Sequence, residues 1–267
     1  MKLAFIGGGV MAQGLIKGVL DASLSKPSDI SVGEIDEQKC RAITKKYGVM
    51  VDTNNSKVVK NGELIVLAVK PQNLNEVASQ LKGILTPKQT VVSVIAGTRI
   101  STLVKLLDHQ PIIRVMPNTP AQIGKGMILW MCSKKVKPEV TKKTQSMLKT
   151  LGVEIQIHDE HYMDMATALS ASGPAYVFTF IEALIDAGVF IGLPRQMAKE
   201  LTLQTVLGIT QLAIESGKHT AELRDMVASP GGTTVEALLA LEEGEFRSTV
   251  MNAVIAAHEK SISLGGE

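Results

Sequence analysis

Leu3-Ala4-Phe5-Ile6-Gly7-Gly8-Gly9-Val10-Met11-Ala12 is the stretch on which the fold turns. Four apolar residues make a short buried strand. Glycines stop it, and Met11, Leu15 and Val19 then recur at i, i+4 and i+8, the spacing of one helix face. Gly7, Gly9 and Ala12 fit G-x-G-x-x-A. Gly7 permits the tight turn, Gly9 lets the backbone approach a pyrophosphate, and Ala12 lets the helix lie close to the sheet. The helix start supplies free N–H groups and a partial positive charge for the anion. The pattern is weak alone, but a strand before it and a helix after it specify a dinucleotide site. The bland alternative is a glycine-rich turn that holds nothing.

Working outward, short apolar or β-branched runs recur at 30–32, 49–51, 64–69, 91–95 and 112–116, with two more at 128–131 and 153–157. Most are too uniformly apolar for a half-wet sheet and read as buried parallel strands. Amphipathic segments lie between them. Leu74, Val77, Ala78 and Leu81 form one stripe, with Gly83 at its C′ position. Pro138 opens another segment, carrying Val140, Met147, Leu148 and Leu151, which Gly152 is expected to end. This βαβα rhythm predicts an α/β, doubly wound, Rossmann-like sheet over 1–158.

The rhythm then stops. From Tyr162 to Ile191 the chain is apolar almost all round, broken by Gly173-Pro174. Further helical stripes follow at Leu203, Val206, Leu207, Thr210 and Ile214, and at Phe246, Val250, Ala253, Val254 and Ala257. A helix that is apolar on every side must be covered on every side. About 110 residues cannot supply all of that cover, so 159–267 is expected to be an all-α domain that dimerises.

Composition narrows the function classes. Net charge is +2 and aromatics are 3%, which disfavours a phosphate-backbone groove or base-stacking platform. Lys134, Lys135 and Lys137 are the densest basic cluster and read as a solvated turn. Cys40 and Cys132 stand at neither metal nor redox spacing, which suits a reduced, cytoplasmic setting. His158, Asp159, Glu160 and His161 cluster, but read as a solvated loop, and no metal site is expected. The amino-terminal apolar run is too short for a signal peptide, and no unbroken apolar stretch nears the roughly 20 residues of a membrane span.

Ligands of such sheets bind beyond the carboxyl ends of the strands. Glu34, with Asp36 close behind, follows the second strand. It either bonds the ribose 2′-hydroxyl of NAD, repelling the 2′-phosphate of NADP, or caps the next helix. Asn54-Asn55-Ser56, Ala68-Val69-Lys70-Pro71 and Ala96-Gly97-Thr98 end later strands and should also reach the cofactor. Asn55 can be an adenosine contact, a helix cap or both. Lys70 can be a cofactor contact or a solvated lysine.

Three more segments belong together: Arg114-Val115-Met116-Pro117-Asn118-Thr119-Pro120, Ser170-Ala171-Ser172-Gly173-Pro174-Ala175-Tyr176 and Ser229-Pro230-Gly231-Gly232-Thr233-Thr234. With the glycine motif, they make the chain resemble the pyrroline-5-carboxylate reductase family nearly end to end. The resemblance implies a Rossmann domain, an interlocking helical domain in a homodimer or larger ring, and NAD(P)H-dependent reduction of 1-pyrroline-5-carboxylate to L-proline. It places Gly7, Gly9, Val10 and Met11 on the pyrophosphate and Asn55 on the adenosine side. Ala68, Val69, Lys70 and Pro71 fall on the nicotinamide side, Ala96 and Gly97 on another cofactor-side turn, and Ser229, Gly231, Gly232, Thr233 and Thr234 on the substrate. Glu34 and Asp36 depart from the small polar or basic residues of many relatives. NADP(H) is therefore the expected cofactor, with NAD(H) possible.

The chemistry fits these residue types. A carboxylate substrate needs donors, and small residues at the start of a helix over 235–242 let N–H groups converge on it. Ser229 and Thr234 add hydroxyls. The plain alternative is a loop with an N-cap threonine. Ser172 and Gly173 belong to a helix start that faces the nicotinamide, or to a packing kink between buried helices. No serine–histidine–acid set or carboxylate pair stands out, so the imine arrives protonated or is protonated through Thr234 and water, and catalysis is mainly orientation. Two other readings fit the layout. A β-hydroxyacid-type dehydrogenase would need a catalytic lysine or histidine on a domain helix; Lys199 is the lysine nearest the middle of a helical segment, and it sits in no recognisable motif. A non-catalytic dinucleotide sensor would need no substrate loop.

Overall fold

A computed structural model describes residues 1–265. By internal contacts the chain divides into two compact units. One is residues 1–172 together with the chain end from 257; the other is residues 173–256.

The first unit is built on one eight-stranded sheet. Its strands are β1 (Leu3–Ile6), β2 (Ile30–Gly33), β3 (Met50–Asp52), β4 (Leu64–Leu67), β5 (Thr90–Ser93), β6 (Ile112–Pro117), β7 (Gly126–Cys132) and β8 (Gly152–Gln156). They lie in the order β3-β2-β1-β4-β5-β6-β7-β8. β1 to β6 are mutually parallel. β7 then runs antiparallel to β6, and β8 parallel to β7. The order reverses at β1, whose neighbours are β2 and β4. That is the topological switch point where ligands of open sheets bind.

Each face of the sheet carries its own core. Along β1, side chains alternate between faces. Leu3 and Phe5 join Leu15, Ile16 and Val19 of α1 (Val10–Asp21), Ile43 of α2 (Glu37–Tyr47), and Met147 and Leu148 of α6 (Pro138–Lys149). Ala4 and Ile6 join Val58 of α3 (Asn55–Val58), Val77 and Leu81 of α4 (Leu74–Leu81), and Leu103 and Leu107 of α5 (Ile100–Leu107). Burying one such side chain contributes about 1.5–3 kcal/mol. The doubly wound sheet expected from the strand rhythm is therefore present.

Two close approaches set helix positions. A Cβ on Gly18 of α1 would lie 2.4 Å from Thr150 Oγ1, so α1 and the end of α6 meet at a glycine. Gly152 was expected to end α6, but the helix stops at Lys149 and caps at Thr150. Gly152 instead opens β8 with φ of 139°, and a Cβ there would strike the Gly126 backbone at 2.1 Å. Strand pairing, not helix capping, demands that glycine.

The break expected at Gly173-Pro174 is also different. α7 (His161–Ala166) and α8 (Gly173–Phe190) are one continuous helix of 30 residues, joined through a π turn at Thr167–Ala171. Pro174 has no N–H for the Ser170 carbonyl, and its ring would crowd that carbonyl in a regular helix. The turn opens instead: Ser172 N–H donates to Thr167 O at 2.9 Å. The freed Ser170 carbonyl takes Asn118 Nδ2 at 3.3 Å, while Asn118 Oδ1 accepts Met127 N–H at 2.9 Å. By length and composition alone the bridged helix, with mean hydropathy 1.4 over its most apolar window, is long and apolar enough to cross a membrane. The sequence reading had cut this run at Gly173-Pro174.

The second unit is helical throughout. α8 turns back on α9 (Arg195–Ser216), followed by α10 (Thr220–Met226), α11 (Thr233–Glu243) and the first part of α12 (Phe246–Leu264). Gly188 meets Ala198 closely, Arg195 pairs with Asp186 at 2.8 Å, and Phe180 packs on Phe246. Yet no residue of α8 or α11 is buried. Phe178, Phe190, Leu207, Ile214 and Met251 stand exposed. A single chain leaves these apolar faces uncovered, as the stripe pattern anticipated.

Candidate active site

At the switch point lies a cleft of about 410 Å³. Gly7, Gly9, Glu34, Asn55, Ala68, Val69 and Lys70 all line it. β1, β2 and β4 end side by side, so residues up to 63 positions apart in the chain share one rim. A larger groove of about 850 Å³ runs along α1 beside Lys149 and Thr150 and contains none of the expected site residues.

The glycine loop is built for close approach. Gly7 has φ of 98°, and a Cβ there would lie 2.6 Å from the Ala68 carbonyl oxygen. Gly9 is the N-cap of α1 and offers no side-chain cap; a Cβ on it would project into open space. The first N–H groups of α1, at Val10 and Met11, are thus bare beside an open cradle. That arrangement fits a pyrophosphate.

Around the rim the capping alternatives resolve onto neighbouring residues. Asp36, not Glu34, caps α2: its Oδ1 accepts Gln38 N–H at 2.8 Å and Lys39 N–H at 3.2 Å. Glu34 instead turns toward the glycine loop, accepting Gly8 N–H at 3.1 Å and Asp36 N–H at 3.1 Å. Asn54, not Asn55, caps α3 through Ser56 N–H. Asn55 is buried and donates from Nδ2 to Gln80 Oε1 at 2.8 Å. Lys70 is exposed at the cleft mouth, and Pro71 opens a short 3₁₀ turn with Asn73. Ala96 and Gly97 follow β5 outside the lining of this cleft; Gly97 lies beside Leu264 of α12. Cys40, in the first turn of α2, has its thiol pushed up by burial and then by the carboxylates of Glu34 and Asp36.

The remaining expected residues fall elsewhere. Ser172 ends the π turn and Gly173 starts α8, both half-buried. Ser229, Gly231, Gly232, Thr233 and Thr234 lie in the second unit. Gly232 N–H bonds the Ser229 carbonyl at 2.9 Å, and Gly231 has φ of 68°. α11 starts at Thr233 with Gly232 as N-cap and no side-chain cap. A threonine N-cap is therefore not what this turn is. The helix head presents uncapped N–H groups at Thr233 and Thr234, with their hydroxyls beside them. Lys199 is exposed on α9.

One element was missed. Glu160, read as part of a solvated loop, accepts Arg114 NH1 at 2.7 Å and Ile100 N–H at 2.9 Å. Arg114 is 2% exposed and Glu160 28%. The pair ties β6, the head of α5 and the approach to α7 together. A signal existed: Arg114 sits inside Ile112-Ile113-Arg114-Val115-Met116, and a cation in a buried strand requires a partner. The partner, 46 residues away, had no local mark. Among the described residues no three His, Cys, Asp or Glu side chains gather as a metal-holding set.

Two family models match the chain: "NADP oxidoreductase coenzyme F420-dependent" over 2–97 and "Pyrroline-5-carboxylate reductase dimerisation" over 160–264. A pyrroline-5-carboxylate reductase of Methanosarcina acetivorans is 39% identical over 99% of this chain and 98% of its own length. Among solved structures, a pyrroline-5-carboxylate reductase from Coxiella burnetii is 33% identical, with a TM-score of 0.91, over 100% of this chain and 99% of its own. The Plasmodium falciparum pyrroline carboxylate reductase, solved with NADP bound, is 35% identical with a TM-score of 0.90 over 100% and 98%.

Proposed function

The chain belongs to the pyrroline-5-carboxylate reductase family, and from that premise we propose how its residues divide the work. The reaction is the NAD(P)H-dependent reduction of the C=N bond of 1-pyrroline-5-carboxylate to L-proline, the last step of proline biosynthesis. NADP(H) is the family cofactor, and the rim is compatible with NAD(H). The observation that carries the assignment of roles is the meeting of Gly7, Gly9, Glu34, Asn55, Ala68, Val69 and Lys70 on one cleft at the switch point.

When bound, the dinucleotide supplies hydride. Gly9 and the N–H groups of Val10 and Met11 hold its pyrophosphate. Glu34 and Asn55 flank the adenosine side. Ala68, Val69, Lys70 and Pro71, with Ala96 and Gly97, shape the nicotinamide side and keep water away. The head of α11 receives the substrate carboxylate through the N–H groups of Thr233 and Thr234, with Gly231 and Gly232 keeping the approach open and the Ser229 hydroxyl donating. Ser172 and Gly173 complete the substrate contacts. The ring nitrogen must be protonated to accept hydride, and the Thr234 hydroxyl passes that proton from water. Orientation and backbone dipoles supply most of the rate.

In this reading 1–158 holds the cofactor, while 159–267 holds substrate and partner subunit. The uncovered apolar helices pack against a second copy in a homodimer or a larger ring, not in a membrane, and no nucleic acid is bound. With Cys40 and Cys132 free thiols, we place the protein in the cytoplasm. The test is to mix purified protein with pyrroline-5-carboxylate and follow absorbance loss from NADPH and NADH in parallel. Oxidation dependent on the imine is expected. None with either dinucleotide, despite measured cofactor binding, would overturn it.

A further inference from the structure

Resting on the cofactor site described above, we propose that Glu34 makes this chain select NADH over NADPH. Its carboxylate is fixed where the adenosine ribose 2′ position must lie.

The end of the second strand is where a dinucleotide fold meets that ribose. A loose carboxylate there could swing out and admit a phosphate. Glu34 is not loose. One oxygen accepts Gly8 N–H and the other accepts Asp36 N–H, each at 3.1 Å. The two donors belong to different segments, the glycine loop and the head of α2, so rotation of the side chain breaks both bonds. Asp36 adds a second acid on the rim, held by its own cap bonds.

The nearby cations pair with other acids and leave the charge of Glu34 unmatched. Lys39 Nζ lies 3.9 Å from Asp36 Oδ2, and Arg41 pairs with Glu37 at 3.0 Å. Among the described residues no guanidinium lines the cleft, and the fork that reads a 2′-phosphate in two places is a guanidinium. Lys39 also lines it on the α2 side, next to Asp36, and Lys70 and Glu76 on the β4 and α4 side. The raised Cys40 thiol, one turn into α2, reports the same negative field after its burial is counted. A 2′-hydroxyl can donate to Glu34; a 2′-phosphate brings two more negative charges against it.

Isothermal titration calorimetry of the full chain with NADH and with NADPH tests this without turnover. NADH should bind at least about tenfold tighter, or about 1.4 kcal/mol. Glu34→Gln keeps the size and removes the charge; with Glu34→Ser as second variant, the ratio should fall to within about threefold, mainly because NADPH binds better. Salt gives a sign independent of any substitution: raising ionic strength should narrow the wild-type preference by screening the repulsion. Tighter NADPH binding by the wild type overturns the proposal, as does an unchanged ratio in both folded variants. Failure of both dinucleotides to bind overturns it together with the cofactor reading, so the two failures are told apart.

Discussion

Trp130 and Phe178 are large aromatic side chains of one chain in opposite circumstances. Trp130 is 0% exposed in the sheet core, its indole N–H held by Glu154; Phe178 is 64% exposed on α8. The same contrast holds between the cores of their units. The central strands of the sheet are covered on both faces by its own helices, with exposed apolar residues such as Val153 and Ile155 lying on the β8 edge, whereas the helical unit leaves Phe190, Ile214 and Met251 bare. Both sequences are apolar. The difference is that a sheet with crossovers closes its cores locally, while α8 to α11 and the first part of α12 carry more apolar surface than they can hide behind one another. The first unit therefore draws its stability from intramolecular packing, and the second, which a family model describes as a dimerisation region, is expected to draw on a second copy.

The largest expected effect tests the first half of that statement. Trp130→Ala should cost about 3–5 kcal/mol by chemical denaturation, whatever the protein concentration. A strong concentration dependence would mean that the sheet, too, leans on a partner. Next comes the second half. Leu207→Asp places a carboxylate on an exposed apolar face of α9 and should weaken self-association by about 2–3 kcal/mol, seen by light scattering as a shift to smaller species. If the assembly is unmoved, that face is not the covered one.

A smaller effect separates chemistry from stability. Thr234→Ala should lower kcat/KM for the imine about ten- to a hundredfold and leave the melting temperature nearly unchanged. Unaltered kcat and KM would remove Thr234 from the reaction. The smallest effect is electrostatic. A hydrogen bond from Lys143 holds the Glu63 carboxyl below its ordinary value. Its folded value is depressed, so the stabilisation is present above the unfolded carboxyl value, about 4.3, and disappears as pH falls through the folded one. Both side chains are about half exposed, so Lys143→Ala should cost only a few tenths of a kcal/mol near neutrality and nothing in strong acid.

How much of this was legible in the chain depended on how local each cause is. The glycine loop and the strands at 3–6, 64–67 and 112–117 are declared by apolar runs and turn residues within a few positions. The direction of β7 is not, because alternation looks the same whichever way a strand runs. Gly152 carries the composition of a helix end, but the residue that demands it is Gly126, across the sheet. Pro174 marks a break in any local reading, and the Asn118 amide that repairs it comes from 52 residues before its partner Ser170. At the site, the acid after β2 was visible, but which of Glu34 and Asp36 would cap α2 was settled by a bond to Gly8.

The meeting of Gly18 with Thr150 has a mechanical consequence. α1 is a stiff rod held along one face by Ala12, Leu15, Ile16 and Val19 in the core. Gly18 and Gly9, the latter at the pyrophosphate end, lie about 13 Å apart along that rod. A methyl group at Gly18 must push Thr150 away or move α1, and a movement of the rod as a whole carries to the cofactor loop. The aim of the N–H groups at one end is thus held by a missing side chain at the other, and drift there of about 1 Å is enough to cost a reaction about a hundredfold.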